Sequence, residues 1–482
     1  MAKSFRSKSI LHRLRVRLPV FWRSVLEWFS NHPYVSAYLV GCVYYGLTVS
    51  WMFGLRTAEI ATGAAFYVVS ISAAFVMVSS FSLGLVFFVW LYRRLHLSLA
   101  DPKWWFIPAV WIASEYFRAV FFSIVSMGPG GRIGPYWTFG NVGYWLVHTP
   151  FVYAARWGGL YLLSLIVIAC VVGLIRAFST RKLMPLAVPL IVSVLLSVSG
   201  WLVYRKPIGP TKQLGVVQFA NEFSPENFSS SANEELAKRP AQSYDALLLP
   251  EYSHLWEKSS ARDTEAISRV LKDPRGLVID SAPEAQTEAK PGYNLVTYHS
   301  GDGTPLFSQQ KWFSIPGGEY VPYLYQVILA YAGQEQMLLR FNDQKSINHG
   351  EVPERPFHYE NVSWGAMACS GVIAPELYRG MTLRGATVLT NSASLDTMGL
   401  GMAYHYQTRD MAVLHAVANA RPFAQSARGG LSYIIDQNGH YVAQTRERGY
   451  DFLEGTIQVN KAKTLYTIWG DWVVWISVSI VL

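Results

Sequence analysis

Long apolar runs dominate residues 34–204, and beyond them the pattern breaks into short strand-like runs and amphipathic stretches as far as residue 463. A helix crosses a bilayer with about 20 consecutive, mostly apolar residues. Six runs meet or approach that length, at about 34–54, 61–92, 104–123, 153–175, 183–204 and 466–482. The second exceeds one crossing, so it tilts, kinks or turns back at the weak turn signal Ser79–Gly84. The last is short for a full crossing. In the polar part, a strand over Gln213–Gln218 leads to a polar loop at Asn221. Further strand-like runs are Ala246–Leu249, Gly276–Asp280, Asn294–His299, Val362–Ala368, Ala386–Thr390 and Leu431–Asp436. Helical patterns intervene at Ala232–Lys238, Asp263–Leu271 and Tyr404–Ala418. Such alternation is the mark of an α/β domain. Asp436-Gln437-Asn438-Gly439 ahead of His440–Ala443 reads as a hairpin turn.

Composition agrees with a chain in two parts. Charged residues make up 15% and hydrophobic ones 51% of 482 residues, the first low and the second high for a soluble protein. The expected division is a basic amphipathic leader at 1–33, a transmembrane bundle at 34–204, a catalytic domain at 205–463 and a C-terminal transmembrane helix at 464–482. The net charge of +9 collects in the leader (Lys3, Arg6, Lys8, Arg13, Arg15, Arg17, Arg23), at Arg93-Arg94, and at Arg176 with Arg181-Lys182. Positive residues flanking apolar runs set membrane orientation; they do not form a nucleic-acid footprint. With six crossings, the three clusters share the cytoplasmic side and the polar domain lies on the other. A hairpin inside 61–92 would break that agreement. The leader interleaves its charges with Leu, Val, Phe and Trp, which suits a membrane surface.

Candidate chemistry lies in the polar domain. Cys42 and Cys170 sit within apolar runs, where a thiol packs as a small side chain. Neither a CxxC nor a metal-ligand spacing occurs, so no disulfide, metal or cofactor is expected. Cys369 closes the strand-like run Asn361–Cys369. Glu251 ends Leu247–Glu251, and Lys311 opens Lys311–Pro322. A carboxylate, an ammonium and a thiol form a working set for acyl transfer: the thiolate attacks a carbonyl, the carboxylate carries the proton and the cation meets the oxyanion. His254 and His405 have no accompanying serine motif and read as incidental; Trp364 and Met367 read as core. Trp111, Glu115 and Arg118 share one helix face, and Glu115 with Arg118 reads as a structural ion pair. The glycine- and aromatic-rich loop Gly128–Trp145 reads either as an interfacial belt or as a lining for lipid or peptide entry.

With these residues in this order, the chain resembles the apolipoprotein N-acyltransferase family, bacterial membrane enzymes that join a helical bundle to a periplasmic nitrilase-like domain. Pro250-Glu251 is similar to the family's acid motif, Lys311 with Gly318-Glu319-Tyr320-Val321-Pro322 to its lysine motif, and Cys369 to its thiol motif. Val217-Gln218 with Asn221, Tyr293-Asn294, Thr390-Asn391, Trp111…Glu115…Arg118 and Tyr466…Gly470-Asp471-Trp472 match further family segments. The resemblance implies a helical transmembrane bundle plus an α/β nitrilase-like domain built as an αββα sandwich. It implies Glu251, Lys311 and Cys369 as catalytic residues, with Glu319 and Asn294 supporting them. It also implies acyl transfer from a phospholipid donor, through a cysteine thioester, to the N-terminal amine of a diacylglyceryl-cysteine lipoprotein. The setting would be a monomer in the bacterial cytoplasmic membrane, its catalytic domain extracytoplasmic, with no nucleic-acid partner.

The chain departs from the family pattern in places. Ser370-Gly371 stands where the family typically has Tyr-Glu, which implies lost volume, room beside the thiol and a looser backbone. Asn391 is followed by Ser392-Ala393 where the family has Asp-Ala, and the tryptophan expected after the opening strand is Phe228 or absent. Two N-terminal spans usual in the family are replaced by the basic leader. Two other readings therefore stay open: a related acyltransferase or amidase with another acceptor, and a scaffold that keeps the fold without catalysis.

Overall fold

The computed structural model describes residues 27–55, 64–219, 236–253, 261–273, 275–284, 292–345, 348, 350–398 and 401–482. The leader before residue 27, Asn221, Phe228, His254 and most of the helical pattern at Ala232–Lys238 lie outside them.

The apolar runs become α1 (Pro33–Thr48), α2 (Ala64–Arg94), α3 (Ile107–Val125), α4 (Ala155–Thr180) and α5 (Met184–Tyr204). The helices at Val69–Arg94, Pro102–Val125, Pro150–Thr180 and Met184–Tyr204 are long and apolar enough to cross a membrane. The first, α1, has 16 residues. The long second run is one helix and not a hairpin. Its serines do not break it: Ser82 Oγ donates 2.7 Å back to the carbonyl of Val78 and so satisfies itself within the helix.

Glu115 and Arg118 depart from the expected pairing. Arg118 donates to the carbonyl of Phe139 (2.7 Å) and to Asn141 Oδ1, while Glu115 Oε1 accepts from the N–H of Val142 (3.0 Å). Both are buried, and both clamp the loop that follows α3. A backbone turn close to membrane depth needs such partners, because lipid offers none.

The polar domain is a four-layer sandwich. Its first sheet has the order β12-β1-β2-β3-β4-β5, and its second β11-β10-β9-β8-β7-β6. The strands are β1 (Thr211–Gln218), β2 (Ala246–Glu251), β3 (Leu277–Pro283), β4 (Asn294–Ser300), β5 (Pro305–Gln310), β6 (Phe357–Tyr359), β7 (Val362–Ala368), β8 (Val388–Ser394), β9 (Phe423–Arg428), β10 (Tyr433–Ile435), β11 (Tyr441–Gln444) and β12 (Asp451–Gln458). Helix α6 (Ala261–Val270) covers the first sheet, and α7 (Tyr323–Tyr331) and α8 (Glu335–Lys345) follow the lysine loop. Helices α9 (Pro375–Leu383) and α10 (Ala403–Asn419) cover the second sheet, and α11 (Leu465–Trp469) and α12 (Trp472–Val481) return the chain to the bundle. Parallel trios β1-β2-β3 and β7-β8-β9 form the two sheet centres.

Alternation along the strands builds the layers. Val362, Trp364, Ala366 and Ala368 of β7 meet Leu214, Leu248 and Ile279 between the sheets. Leu247 and Leu249 point outward to Ile267 and Val270 of α6. Met367 turns to the other face, into a core that runs unbroken through α9 and α10 into Phe81, Phe122, Leu160 and Tyr466 of the bundle and its C-terminal return. The sandwich therefore sits on the bundle through its α9–α10 layer. Three further hydrogen-bonded ties cross this junction. Arg156 of α4 donates to the carbonyls of Val417 and Gln437, and His148 bonds Asp410 at 2.7 Å. The kink in α4 at Gly158-Gly159 is filled by the Tyr466 ring, which leaves no space for a Cβ at Gly159.

Candidate active site

The nucleophile candidate stands at the end of a central strand. Cys369 follows β7 and opens a short 3-10 turn, Cys369–Ile373, with φ +42. A non-glycine residue in this region is held there by its surroundings at a cost of about 1–3 kcal/mol. Asn391 Nδ2 donates to the Cys369 carbonyl (3.1 Å), and His415 Nε2 donates to the Val372 carbonyl (2.7 Å). Asn391 is fixed in turn by Gln425 (2.9 Å) and Tyr378 (3.2 Å). The thiol donates to the Ser394 carbonyl at 3.3 Å and faces the Glu251 carboxylate.

Glu251 ends β2. Simple alternation would send its side chain outward with Leu247 and Leu249, but a register shift against β3 between Leu248 and Glu251 re-aims it. Its Oε2 accepts the Ser394 N–H at 3.2 Å, so the backbone of one β8 residue orients both acid and thiol. Lys311 directly follows β5 and pairs across to the start of β4, its N–H bonding the Asn294 carbonyl at 2.7 Å. Lys311 Nζ bridges Glu251 Oε1 (3.0 Å) and Glu319 Oε1 (2.8 Å). Asn294 Nδ2 lies between the same carboxylates, 3.0 Å from Glu251 and 3.3 Å from Glu319. Glu319 Oε2 closes its own loop on the N–H of Ile315 (2.9 Å). The structure thus brings Glu251, Lys311, Cys369, Glu319 and Asn294 into one buried cluster.

Two carboxylates share one ammonium here. Burial holds Glu251 above the usual carboxylate range, with Lys311 opposing and Glu319 adding to it. Burial disfavours charge on Lys311, yet Glu251 and Glu319 outweigh it and keep the ammonium well above the usual lysine range. Burial and then Glu251 push the Cys369 thiol up, against Lys311. The resting thiol therefore keeps its proton, next to a carboxylate primed to take it.

The lysine loop is seated on the bundle. Tyr136 packs edge-on to Trp312 (5.5 Å) and Phe313 (5.1 Å), and Trp137 lies 5.7 Å from Phe313. Tyr320 OH donates to the Ser126 carbonyl (3.0 Å), and Arg132 to that of Gly350 (2.8 Å). The Gly128–Trp145 loop is thus a seat for the active-site loop as well as an aromatic surface.

Around the thiol, expectation and structure part. Ser370-Gly371 leaves no space: both residues are buried, and a Cβ at Gly371 would stand 2.6 Å from Met367 Cβ. The turn is tightly packed because Met367 occupies what a side chain would need. Sequence reasoning also missed Tyr252, whose hydroxyl accepts from Asn294 (3.1 Å) and whose φ of +62 directly follows Glu251. It gave no role to Ser394 or His415, which act on or through backbone groups that carry no residue signature; Asn391 entered only as part of a motif. Among the described residues, no group of three His, Cys, Asp or Glu is placed to hold a metal ion.

The chain also has similarities to known proteins. Residues 16–174 match the family model for the apolipoprotein N-acyltransferase N-terminal domain. A curated apolipoprotein N-acyltransferase of Synechocystis is 26% identical over 58% of this chain and 53% of its own length. Its counterpart in Gloeobacter violaceus is 23% identical over 67% of this chain and 62% of its own. The matches therefore span little more than half of these relatives. Among solved structures, a carbon-nitrogen hydrolase of Helicobacter pylori (17% identity) covers 54% of this chain and 94% of itself at a TM-score of 0.38. An amidase of Nesterenkonia (17%) covers 53% and 93% at 0.37. By architecture, the chain is a helical bundle, four of whose described helices are long and apolar enough to cross a membrane, carrying an αββα sandwich. In sequence the chain is similar, at a divergent level, to apolipoprotein N-acyltransferases.

Proposed function

We propose that this chain moves an acyl chain from a membrane phospholipid, through a thioester on Cys369, to the N-terminal amine of a diacylglyceryl-cysteine lipoprotein. The observation behind this reading is the buried cluster in which Lys311 joins Glu251 and Glu319 beside Cys369, on a domain packed against a membrane bundle. Glu251 takes the thiol proton as sulfur adds to the ester carbonyl. Lys311 Nζ and the backbone N–H of Ser370 meet the tetrahedral oxyanion. Collapse releases a lysophospholipid, whose leaving oxygen receives the proton from Glu251. In the second half, Glu251 removes a proton from the attacking amine, and sulfur departs as the restored thiol. Glu319 and Asn294 keep Lys311 and Glu251 in register. The acceptor class comes from the names of the relatives.

In this reading the protein is a monomer of the bacterial cytoplasmic membrane with its sandwich outside the cytoplasm, as the three basic clusters favour. A cysteine introduced at exposed Glu354 should react with an impermeant maleimide in intact spheroplasts. The replacement of the family's Tyr-Glu by Ser370-Gly371 favours, as a second reading, the same chemistry with another acceptor. Phospholipid labelled in its acyl chain should leave a hydroxylamine-sensitive label on the wild type and none on Cys369→Ala, with lipoprotein N-termini acylated only when the chain is present. Label appearing as free acid would point to hydrolysis. A wild type that takes no label would sink both readings.

A further inference from the structure

The nucleophile turn is tied to the opposite sheet by a side chain with no task in the scheme above. Ser370 is fully buried, and its hydroxyl donates to the carbonyl of Phe313. Phe313 lies just beyond Lys311, and its ring is wedged against Tyr136 and Trp137 of the bundle loop. One residue is therefore gripped twice, its ring by the bundle and its carbonyl by the thiol turn. Asn391 and His415 bind the same turn only to its own sheet and helix layer. The groups that face an oxyanion come from the two segments that Ser370 joins: Lys311 Nζ from one, the Ser370 N–H from the other. Such donors help most when their spacing is set before charge develops.

We propose that the Ser370 hydroxyl is a positioning group that fixes the distance between these donors, so that bundle loop, lysine loop and thiol turn act as one unit. This rests on the acyl-transfer reading.

Ser370→Thr keeps the hydroxyl, and Ser370→Val replaces it with a methyl at nearly the same volume, so both variants share any steric cost. Two rates are measured on the full chain in detergent. Acylation by p-nitrophenyl octanoate, in which sulfur adds to the carbonyl and nitrophenolate leaves, needs the oxyanion donors. Alkylation of Cys369 by iodoacetamide, a displacement at carbon, does not. Ser370→Val should acylate about a hundredfold more slowly than Ser370→Thr, the scale of a misplaced catalytic group, while both alkylate alike. Ser370→Ala, which adds no volume, should show the same contrast against the wild type. Equal acylation by Ser370→Thr and Ser370→Val, or acylation and alkylation falling together, overturns the proposal. A wild type that alkylates but shows no burst removes the acyl-transfer reading itself, and this inference with it.

Discussion

Lys311 and Arg118 are both buried cations, one in the sandwich and one in the bundle, and their partners differ. Lys311 is held by two carboxylates, so its neighbourhood carries surplus negative charge and several ionisable groups within reach of one another. Arg118 is held by a carbonyl and an amide, and its guanidinium lies over the rings of Phe81 (4.5 Å) and Tyr45 (5.0 Å). The first arrangement can lend an ammonium to a developing oxyanion while protons move beside it. The second bonds two neutral oxygens and holds a loop in shape. Burial of charge alone does not mark a reaction centre; what surrounds the charge does.

The sharpest way to break this contrast is Lys311→Met. On the proposed mechanism it removes an oxyanion donor, worth about a hundredfold or more in rate, and it leaves Glu251 and Glu319 facing each other. Acylation of Cys369 by labelled phospholipid should become undetectable or nearly so, although the protein still inserts and folds. Arg118→Met should do the reverse. Freeing the Phe139 carbonyl and Asn141 costs roughly 1–3 kcal/mol for each unmet group, so unfolding in detergent shifts down while each folded molecule stays within reach of wild-type activity. If Arg118→Met lost activity per folded molecule as steeply as Lys311→Met, the two sites would not differ in kind.

Next in size is an attempt to restore the family pattern. Ser370→Tyr with Gly371→Glu places two large side chains into a turn where even a Cβ at Gly371 stands 2.6 Å from Met367. Overpacking of this sort costs about 1–3 kcal/mol or more, and the Phe313 tie is lost as well. The double variant should be less stable and slower than the wild type. A gain in acylation rate would show that the turn can open more than its packing suggests.

How much of this could be read along the chain depends on where each signal resides. The central strands β2, β3 and β7 announced themselves because parallel strands buried on both faces are written in apolar residues, and Glu251 and Cys369 stood out at their ends. β9 escaped notice, since Gln425 and Ser426 are buried through hydrogen bonds and break the apolar run. β5 is an edge strand with mostly exposed positions, and β12 is interrupted by Glu454 and Gly455. The long second run left a hairpin open beside the single helix that the charge clusters favoured, because serine back-bonding to a carbonyl leaves no trace in hydropathy. Glu115 and Arg118 looked like partners by spacing, yet each found a loop that spacing cannot reveal. Ser370-Gly371 read as missing volume, because the sequence does not say that Met367 fills the place.

The smallest effect is a pH dependence of stability that separates two histidines of α10. His405 is 1% exposed with both ring nitrogens unpartnered, and burial, with Arg448 nearby, pushes its pKa down to about 4. His415 is likewise pushed down to about 4 by burial, against its bond to the Val372 carbonyl. In the unfolded chain both return to about 6.5. A base whose folded pKa is depressed adds stability that is present above the unfolded value and lost as pH falls toward the folded one. Each histidine should therefore weaken the fold by up to roughly 1.4 kcal/mol per pH unit between about 6.5 and 4. His405→Leu removes its share of that slope and an unsatisfied polar ring, so it should raise the unfolding midpoint at pH 5 and leave activity unchanged. His415→Leu also flattens the slope but frees the Val372 carbonyl behind Cys369, so acylation should slow. Identical activity in the two variants would mean that the Val372 bond does not hold the nucleophile turn, and an unchanged slope in His405→Leu would mean that this buried ring is not what acid attacks.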